Sequence, residues 1–276
     1  ALEAFFLGAL RLKPHPNARD LIAPMAQRLA APILDRMRAA ELCSGDRSFE
    51  RDFCEGNAPQ VARWTIVVHV GYHVSQLAIF SLHAATGQGQ LSLEHPSVAF
   101  TVKVAGMQCV ISLSLIAVSC RLRADSPSWE RLSVGATSLL GVLTPWCGRW
   151  HAAALFGEDT GEDWSEGFAE SETLQIMAVM AITGCYLLFV PVRCSVAWVV
   201  PMSSLLSWLA LVTIAGAQHP SLLPAKTAIM CMALILLMAG ACRRELSDRR
   251  SWTLLHRPRS MGAALEGTQA GSRPWC

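Results

Sequence analysis

Charge is what this sequence has least of. Asp, Glu, Lys and Arg make up 16% of its 276 residues, and 52% are hydrophobic, whereas an ordinary soluble domain is about 25% charged. That shortage argues against a typical water-soluble fold and points to a membrane protein. A net charge of +2 leaves no basic excess, so no nucleic-acid partner is expected. The ten cysteines include no C-x-x-C pair and no Cys/His spacing of zinc type. Cys109, Cys120, Cys185, Cys231 and Cys242 lie in or at the ends of apolar runs, where cysteine acts as a small hydrophobe rather than as part of a disulfide framework. A nucleophile motif, a P-loop, a dinucleotide fingerprint and H-E-x-x-H are all missing, so no catalytic residue is assigned and no cofactor is named. Absent too are an arginine-periodic voltage-sensor helix, the T-V-G-Y-G filter and any inverted repeat. With alanine first and no signal peptide visible, the chain reads as a fragment of a longer product.

What is present is a series of apolar runs. From Trp64 to Ala84 no Asp, Glu, Lys or Arg occurs. That stretch of about 20 residues is what an α-helix needs to cross a hydrocarbon core about 30 Å thick. Five further runs follow, at about Ser97–Cys120, Leu132–Phe156, Thr173–Val192, Cys194–Ala217 and Ala225–Cys242. The third is the weakest, with Pro145 and Arg149 in its later half; lying in the interface or re-entering is its alternative to crossing. The expected fold is all-α, a polytopic membrane helix bundle of six transmembrane helices. Ahead of it, residues 1–62 form an amphipathic and juxtamembrane region. Asp20 caps a helix reaching to about Cys43, interrupted at Pro32, and a polar linker follows to Ala62. Residues 63–242 are the membrane domain and 243–276 a basic tail.

Basic residues decide the sidedness. With six alternating spans, Arg121, Arg123 and Arg131, Arg193, and the tail residues Arg243, Arg244, Arg249, Arg250, Arg257, Arg259 and Arg273 share one side. Opposite them, the connection between the third and fourth spans carries Glu158, Asp159, Glu162, Asp163, Glu166, Glu170 and Glu172 with no base. Both termini are therefore expected in the cytoplasm, with the plasma membrane as the default location. Trp64, Trp198, Trp208 and Trp252 sit near span ends, as interfacial anchors do.

The first span carries His69, His73, Gln76 and His83, which at about 100° per residue fall within about 80° of one another. His69 and His73, four apart, have the spacing with which one helix can hold a metal ion. Lys103, about one and a half turns into the second span, extends this intramembrane polar stripe toward His83 or else snorkels to the interface. Ionisable groups inside a membrane face the bundle interior or a water-filled path. Two readings stay open: a proton or metal path, or imidazoles that hydrogen-bond Ser, Thr or backbone groups and hold the helices together. Asp159, Asp163 and Glu170 fit three ligand positions of an EF-hand, but Gly161 and Trp164 stand where a ligand and the turn glycine belong. A solvated acidic hairpin is the better reading of that loop. Ser203, Ser204 and Ser207 suit a polar helix–helix interface.

The last span is followed directly by Arg243, Arg244, Glu245, Arg249 and Arg250, with Glu245 four residues before Arg249, a favourable helical pair. Over residues 225–255, together with the span count and the cytoplasmic termini, the chain resembles the six-helix membrane domain of class III adenylate/guanylate cyclases. In that family such a basic helix leads to a coiled connector and the catalytic domain. The resemblance implies a membrane sensory or regulatory module whose signal leaves through the sixth helix, with the catalytic half absent. This sequence departs from the pattern at Pro258, expected to break the connector, and no metal-binding Asp pair follows. Expected partners are the lipid bilayer, anionic lipids at the basic tail and a second copy of the chain. The alternative is a transporter or channel for protons or metal ions using the His stripe.

Overall fold

The computed structural model describes residues 47–85, 95–121, 126, 128–158 and 172–270. The expected helix over 20–43 and the candidate ligands Asp159, Asp163 and Glu170 lie outside these residues. Every described element is a helix: α1 (Arg47–Ala85), α2 (Pro96–Ser119), α3 (Ser128–Leu143), α4 (Arg149–Phe156), α5 (Glu172–Phe189), the short α6 (Cys194–Ala197), α7 (Val199–Ala215) and α8 (Leu223–Ala270). Short 3₁₀ turns at Thr144–Cys147 and Pro220–Leu222 complete the set.

The exterior is apolar, unlike that of a soluble bundle. The buried stripe of α2 runs Val98, Thr101, Val104, Gln108, Ser112 and Leu115, a spacing of three and four that keeps one helical face inward. Half of that stripe is polar, while the outward residues are aliphatic. Leu77, Val110, Leu113, Ile214, Ile229 and Leu236 are each at least 60% exposed, an apolar surface that water would penalise and lipid would not. Four helical stretches are long and apolar enough to cross a membrane: Pro96–Ser119, Glu172–Phe189, Cys194–Ala215 and Pro220–Leu254. α1 has the length, 39 residues or about 58 Å, but His69, His73 and Gln76 dilute its apolar run. Together these features make the chain an all-α bundle of polytopic membrane type.

The third pass is built in two pieces. Pro145 lies in the 3₁₀ turn that ends α3, because it lacks the N–H a continuing helix requires, and the chain resumes as α4. Elsewhere helices are longer than expected. The polar stretch before Ala62, expected to be a linker, is helical from Arg47, continuous with the apolar part of α1 and passing Pro59. α8 likewise runs through Pro258 to Ala270, correcting the expected break there. Proline's φ fits a helix, and its missing N–H forfeits one bond.

The helices run between two ends of the bundle. At one end meet the start of α1, the start of α3, the α5–α6 turn and the later part of α8, through Glu50, Glu130, Arg193, Glu245 and Arg249. At the other end, Ser97 meets Glu158 and Glu172 meets Lys226. α3 and α7 form the most extensive pair, and Gly141 permits it: a Cβ there would lie 2.2 Å from Ser204 Oγ. Small residues at helix crossings replace the hydrophobic drive that lipid removes. The expected polar interface on α7 is present. Ser207 bonds the Val142 carbonyl and receives Trp146 Nε1–H, while Ser204 and Ser203 bond the carbonyl of Val200 on their own helix. Trp208, expected at an interface, is instead fully buried and packs with Val179, Val212, Met230 and Leu234. Its position in the third turn of α7 places it in the interior, whereas Trp64 and Trp198 remain part-exposed.

Replacing Gly141 by leucine should push α3 off α7 and cost about 1–3 kcal/mol, read as a lower midpoint in reversible unfolding from detergent micelles.

Candidate functional site

Three polar clusters interrupt the apolar interior, one at mid-bundle and one at each end. The middle one is built on α1. His69 is fully buried, with Nδ1 2.9 Å from Ser112 Oγ on α2 and Nε2 3.1 Å from Thr137 Oγ1 on α3. His73 Nε2 lies 2.7 Å from the same Ser112 hydroxyl, and Cys109 Sγ lies 3.8 Å from its Nδ1. Tyr72 points the other way: its hydroxyl receives Gln108 Nε2–H at 3.0 Å and meets Thr144 Oγ1 at 3.1 Å. Cys147 donates to Gln108 Oε1. One turn toward the other end, Thr65 meets Ser133 at 2.6 Å and Ser133 meets Tyr186 at 2.9 Å. Helical spacing explains the set: Thr65, His69 and Tyr72 recur at four and three residues, as do Ser133, Thr137 and Thr144 at four and seven. Interhelical bonds of this kind contribute about 0.6–2 kcal/mol each in a membrane.

The structure thus brings His69 and His73 together, on one serine. Gln76 is half-buried one turn further on, and Lys103 is exposed on α2. The side chain of His83 lies outside the described residues. Both nitrogens of His69 face hydroxyls, so a neutral imidazole donates with one and accepts with the other. Among the described residues no group of three or more His, Cys, Asp or Glu could hold a metal ion.

The second cluster is a clasp across the end where α8 leaves the bundle. Arg193 lays its guanidinium on Glu130, with Nε 2.8 Å from Oε2 and 3.0 Å from Oε1, and its own N–H bonds Oε1 at 2.8 Å. Arg193 Nη1 also reaches Glu50 Oε2 at 3.8 Å. Glu50 in turn holds Arg249 of α8 through both carboxylate oxygens. Arg249 Nε also donates to Glu245 Oε1 at 2.8 Å, and Glu245 Oε2 accepts Cys194 N–H at 2.6 Å. Beside the ion pairs, Phe53 meets Trp252 edge-on at 5.9 Å and lies 5.1 Å under the Arg249 guanidinium, a cation–π arrangement. Gly56 leaves room for that indole, since a Cβ would lie 2.3 Å from the Trp252 ring. Hydrogen bonding to Glu130 raises the pKa of Arg193 above its ordinary value, so the guanidinium keeps its charge. Burial pushes the Cys54 thiol up to about 11, and Arg193 opposes that shift.

Charged side chains here cap helices other than their own. α6 has no side-chain cap from its preceding residue, and Glu245 supplies an acceptor to its first N–H. α5 ends without a basic residue in its last turn, and Arg244 donates to the carbonyls of Leu188 and Val190. At the opposite end Glu158 accepts both the N–H and the hydroxyl of Ser97 in the first turn of α2, where an anion complements the helix dipole. The third cluster is also there: Lys226 pairs with Glu172, whose N–H donates to Gln218 Oε1 at 3.0 Å.

Sequence reading found the His pair but not its hydroxyl partners, and found the Glu245–Arg249 pair of the basic exit but not Glu50. Arg244 and Arg249 turn inward, leaving Arg243 and Arg250 exposed. Glu50 and Arg249 are 199 residues apart, and no local pattern links them. Glu172 and Lys226 did carry a signal, an acid and a base each opening an apolar run at the same end. No protein-family model, curated protein or solved structure matches this chain.

Ser112→Ala removes the hydroxyl shared by both imidazoles, and the expected loss of about 1–3 kcal/mol is read by the same unfolding titration. Cys54 should resist alkylation. With its pKa moved from 9.0 to about 11, its thiolate fraction at pH 8 falls about a hundredfold relative to the denatured chain. Mass spectrometry of the Cys54 peptide after a timed maleimide pulse measures the ratio. The folded state holds that proton more tightly, so stability from this group is lost as pH rises from about 9 toward 11.

Proposed function

We propose that the chain is the membrane-embedded sensory or regulatory module of a signalling protein, with six transmembrane helices, cytoplasmic termini and output through α8. The observation that carries this is the clasp. α8 extends without interruption from the apolar bundle to Ala270, and on leaving it is held to the long stem of α1 by Glu50–Arg249 and Phe53–Trp252. Rearrangement of α1 against its neighbours therefore reaches the exit helix through fixed contacts rather than a loose linker. The resemblance to the membrane domain of class III nucleotide cyclases belongs to this proposal, as do the plasma membrane, a second copy of the chain and anionic lipid at Arg243 and Arg250. Such a module performs no chemistry itself. It converts a difference in binding or environment between two bundle states into a difference in helix position.

A second reading is favoured by one observation, the continuous run Thr137–His69–Ser112–His73. Alternating hydroxyl and imidazole groups can pass a proton by exchanging donor and acceptor roles. This reading makes the chain a proton or metal-ion pathway on the same stripe.

Spin labels at positions 51 and 250, both exposed, report the clasp in nanodiscs. Lys226→Met, at the far end of α8, is expected to shift or broaden the 51–250 distance distribution, and an unchanged distribution would count against output through α8. Glu50→Arg should broaden it strongly and Glu50→Arg with Arg249→Glu should narrow it again. In proteoliposomes neither protons nor Zn²⁺ should cross; flux abolished by His69→Ala or His73→Ala would establish the second reading instead.

A further inference from the structure

At the end opposite the clasp, three helices close around a set of polar atoms with too few partners. His151 of α4 and Glu172 of α5 are fully buried, and Gln175, one turn along α5, is nearly so. Glu172 Oε2 is taken by Lys226 of α8, but Oε1 faces His151 Nε2 at 4.0 Å. Neither ring nitrogen of His151, nor Glu172 Oε1, nor Gln175 Oε1 has a hydrogen-bond partner. Gln175 is confined as well, its amide lying where a side chain at Gly148 would stand. Buried polar groups are almost always paired, so four orphan atoms in one place need an explanation.

A neutral imidazole has one N–H and one bare nitrogen, whereas an imidazolium can donate from both. A neutral imidazole and a carboxylate oxygen 4.0 Å apart are too distant for a hydrogen bond. An imidazolium in the same place is attracted to that oxygen and has an N–H to give it. We propose that His151, Glu172 and Lys226 form a proton-binding site of the membrane domain. One proton passes from water to a ring nitrogen of His151, Glu172 stays ionised, and the new N–H donates to Glu172 Oε1. The carboxylate then bridges two cations, His151 on one oxygen and Lys226 on the other, and draws α4, α5 and α8 together. The site's charge changes from zero to +1.

The groups facing His151 define the electrostatics. Burying the ring works against charging it; against that, α5 places Glu172 Oε1 4.0 Å from Nε2, and α8 contributes Lys226, which pairs with the other carboxylate oxygen. α2 carries one charged residue, the exposed Lys103, and α7 carries none. On α4 itself the other charged residue is Arg149, and beyond its end Glu158 is engaged with Ser97. Trp150 stands edge-on to the His151 ring at 4.9 Å, which makes its indole a built-in reporter. As the input to α8 this site rests on the sensory reading above. As a proton site it does not.

Protonated imidazole quenches a neighbouring indole, so the test is tryptophan emission of the full chain in nanodiscs, titrated from about pH 8 to about pH 4. A sigmoidal fall in emission is expected on acidification. It should vanish in His151→Gln and in Trp150→Phe, and move at least tenfold toward higher proton concentration in Glu172→Gln. Helical circular dichroism and unchanged elution establish that the variants fold. Should they not fold, ¹⁵N-histidine spectra of the unaltered chain take their place, and one buried imidazole is expected to gain a carboxylate-bonded N–H on acidification. An emission titration that persists in His151→Gln, or an unaltered chain in which no buried imidazole titrates, would overturn the proposal. If quenching occurs while the 51–250 distance ignores pH, the proton site stands and its link to α8 falls.

Discussion

A hydroxyl or imidazole surrounded by hydrocarbon has no water to fall back on, so it binds another group of the protein or remains a cost. The arrangement of α1, α2 and α3 follows from that constraint. Each helix presents a polar stripe, and the three can satisfy one another only if the stripes converge, as Ser112 does between His69 and His73 and Ser133 does between Thr65 and Tyr186. Aliphatic contacts in this bundle resemble the contacts lipid would offer and are correspondingly indifferent to rotation and register. The hydroxyl and imidazole bonds are not, because each requires a donor and an acceptor at one distance and angle. Polar pairing sets which faces meet, and small residues such as Gly141 set how closely.

The same constraint acts at the helix ends. Several helices begin or finish without a capping residue in their own sequence, and charged side chains from other helices fill the vacancies. Glu158 serves α2, Arg244 serves α5 and Glu245 serves α6. A cap supplied from elsewhere joins two elements as well as ending one, so these residues also tie the helices to one another. Fewer charges than usual are present, and these three are used in this way.

Much of the fold could be read from the sequence because its strongest signal, loss of charge over the length of a span, is local. The run expected at Ser97–Cys120 is α2, and that at Cys194–Ala217 is α6 with α7. Pro145, noted as a weakness of the third run, marks where α3 stops. The errors came from polarity, proline and tryptophan: the polar stretch before Ala62 is helical, Pro258 lies within a helix, and Trp208 is in the core. The polar face of α1 was also legible, since four residues on one stripe of an otherwise apolar helix must look inward. Their partners were not, because hydroxyls are too common along the chain to single out Ser112 or Thr137. Contacts such as Glu50–Arg249 depend on which helices become neighbours, which no window of the sequence contains.

α8 is fastened near each end by a charge, Lys226 on Glu172 and Arg249 on Glu50, about 34 Å apart along a straight helix. Between those points it touches the bundle through Met230 and Leu234 against Trp208 and Val179, and Ile229 and Leu236 look outward. A rod held this way resists sliding along its axis, because any axial step would break both ion pairs together. Turning is resisted at the clasp end as well, where Arg244 holds the carbonyls of Leu188 and Val190 and Glu245 holds Cys194 N–H. Any displacement of the exit end of α8, axial or rotary, would therefore have to take the turn between α5 and α6 with it.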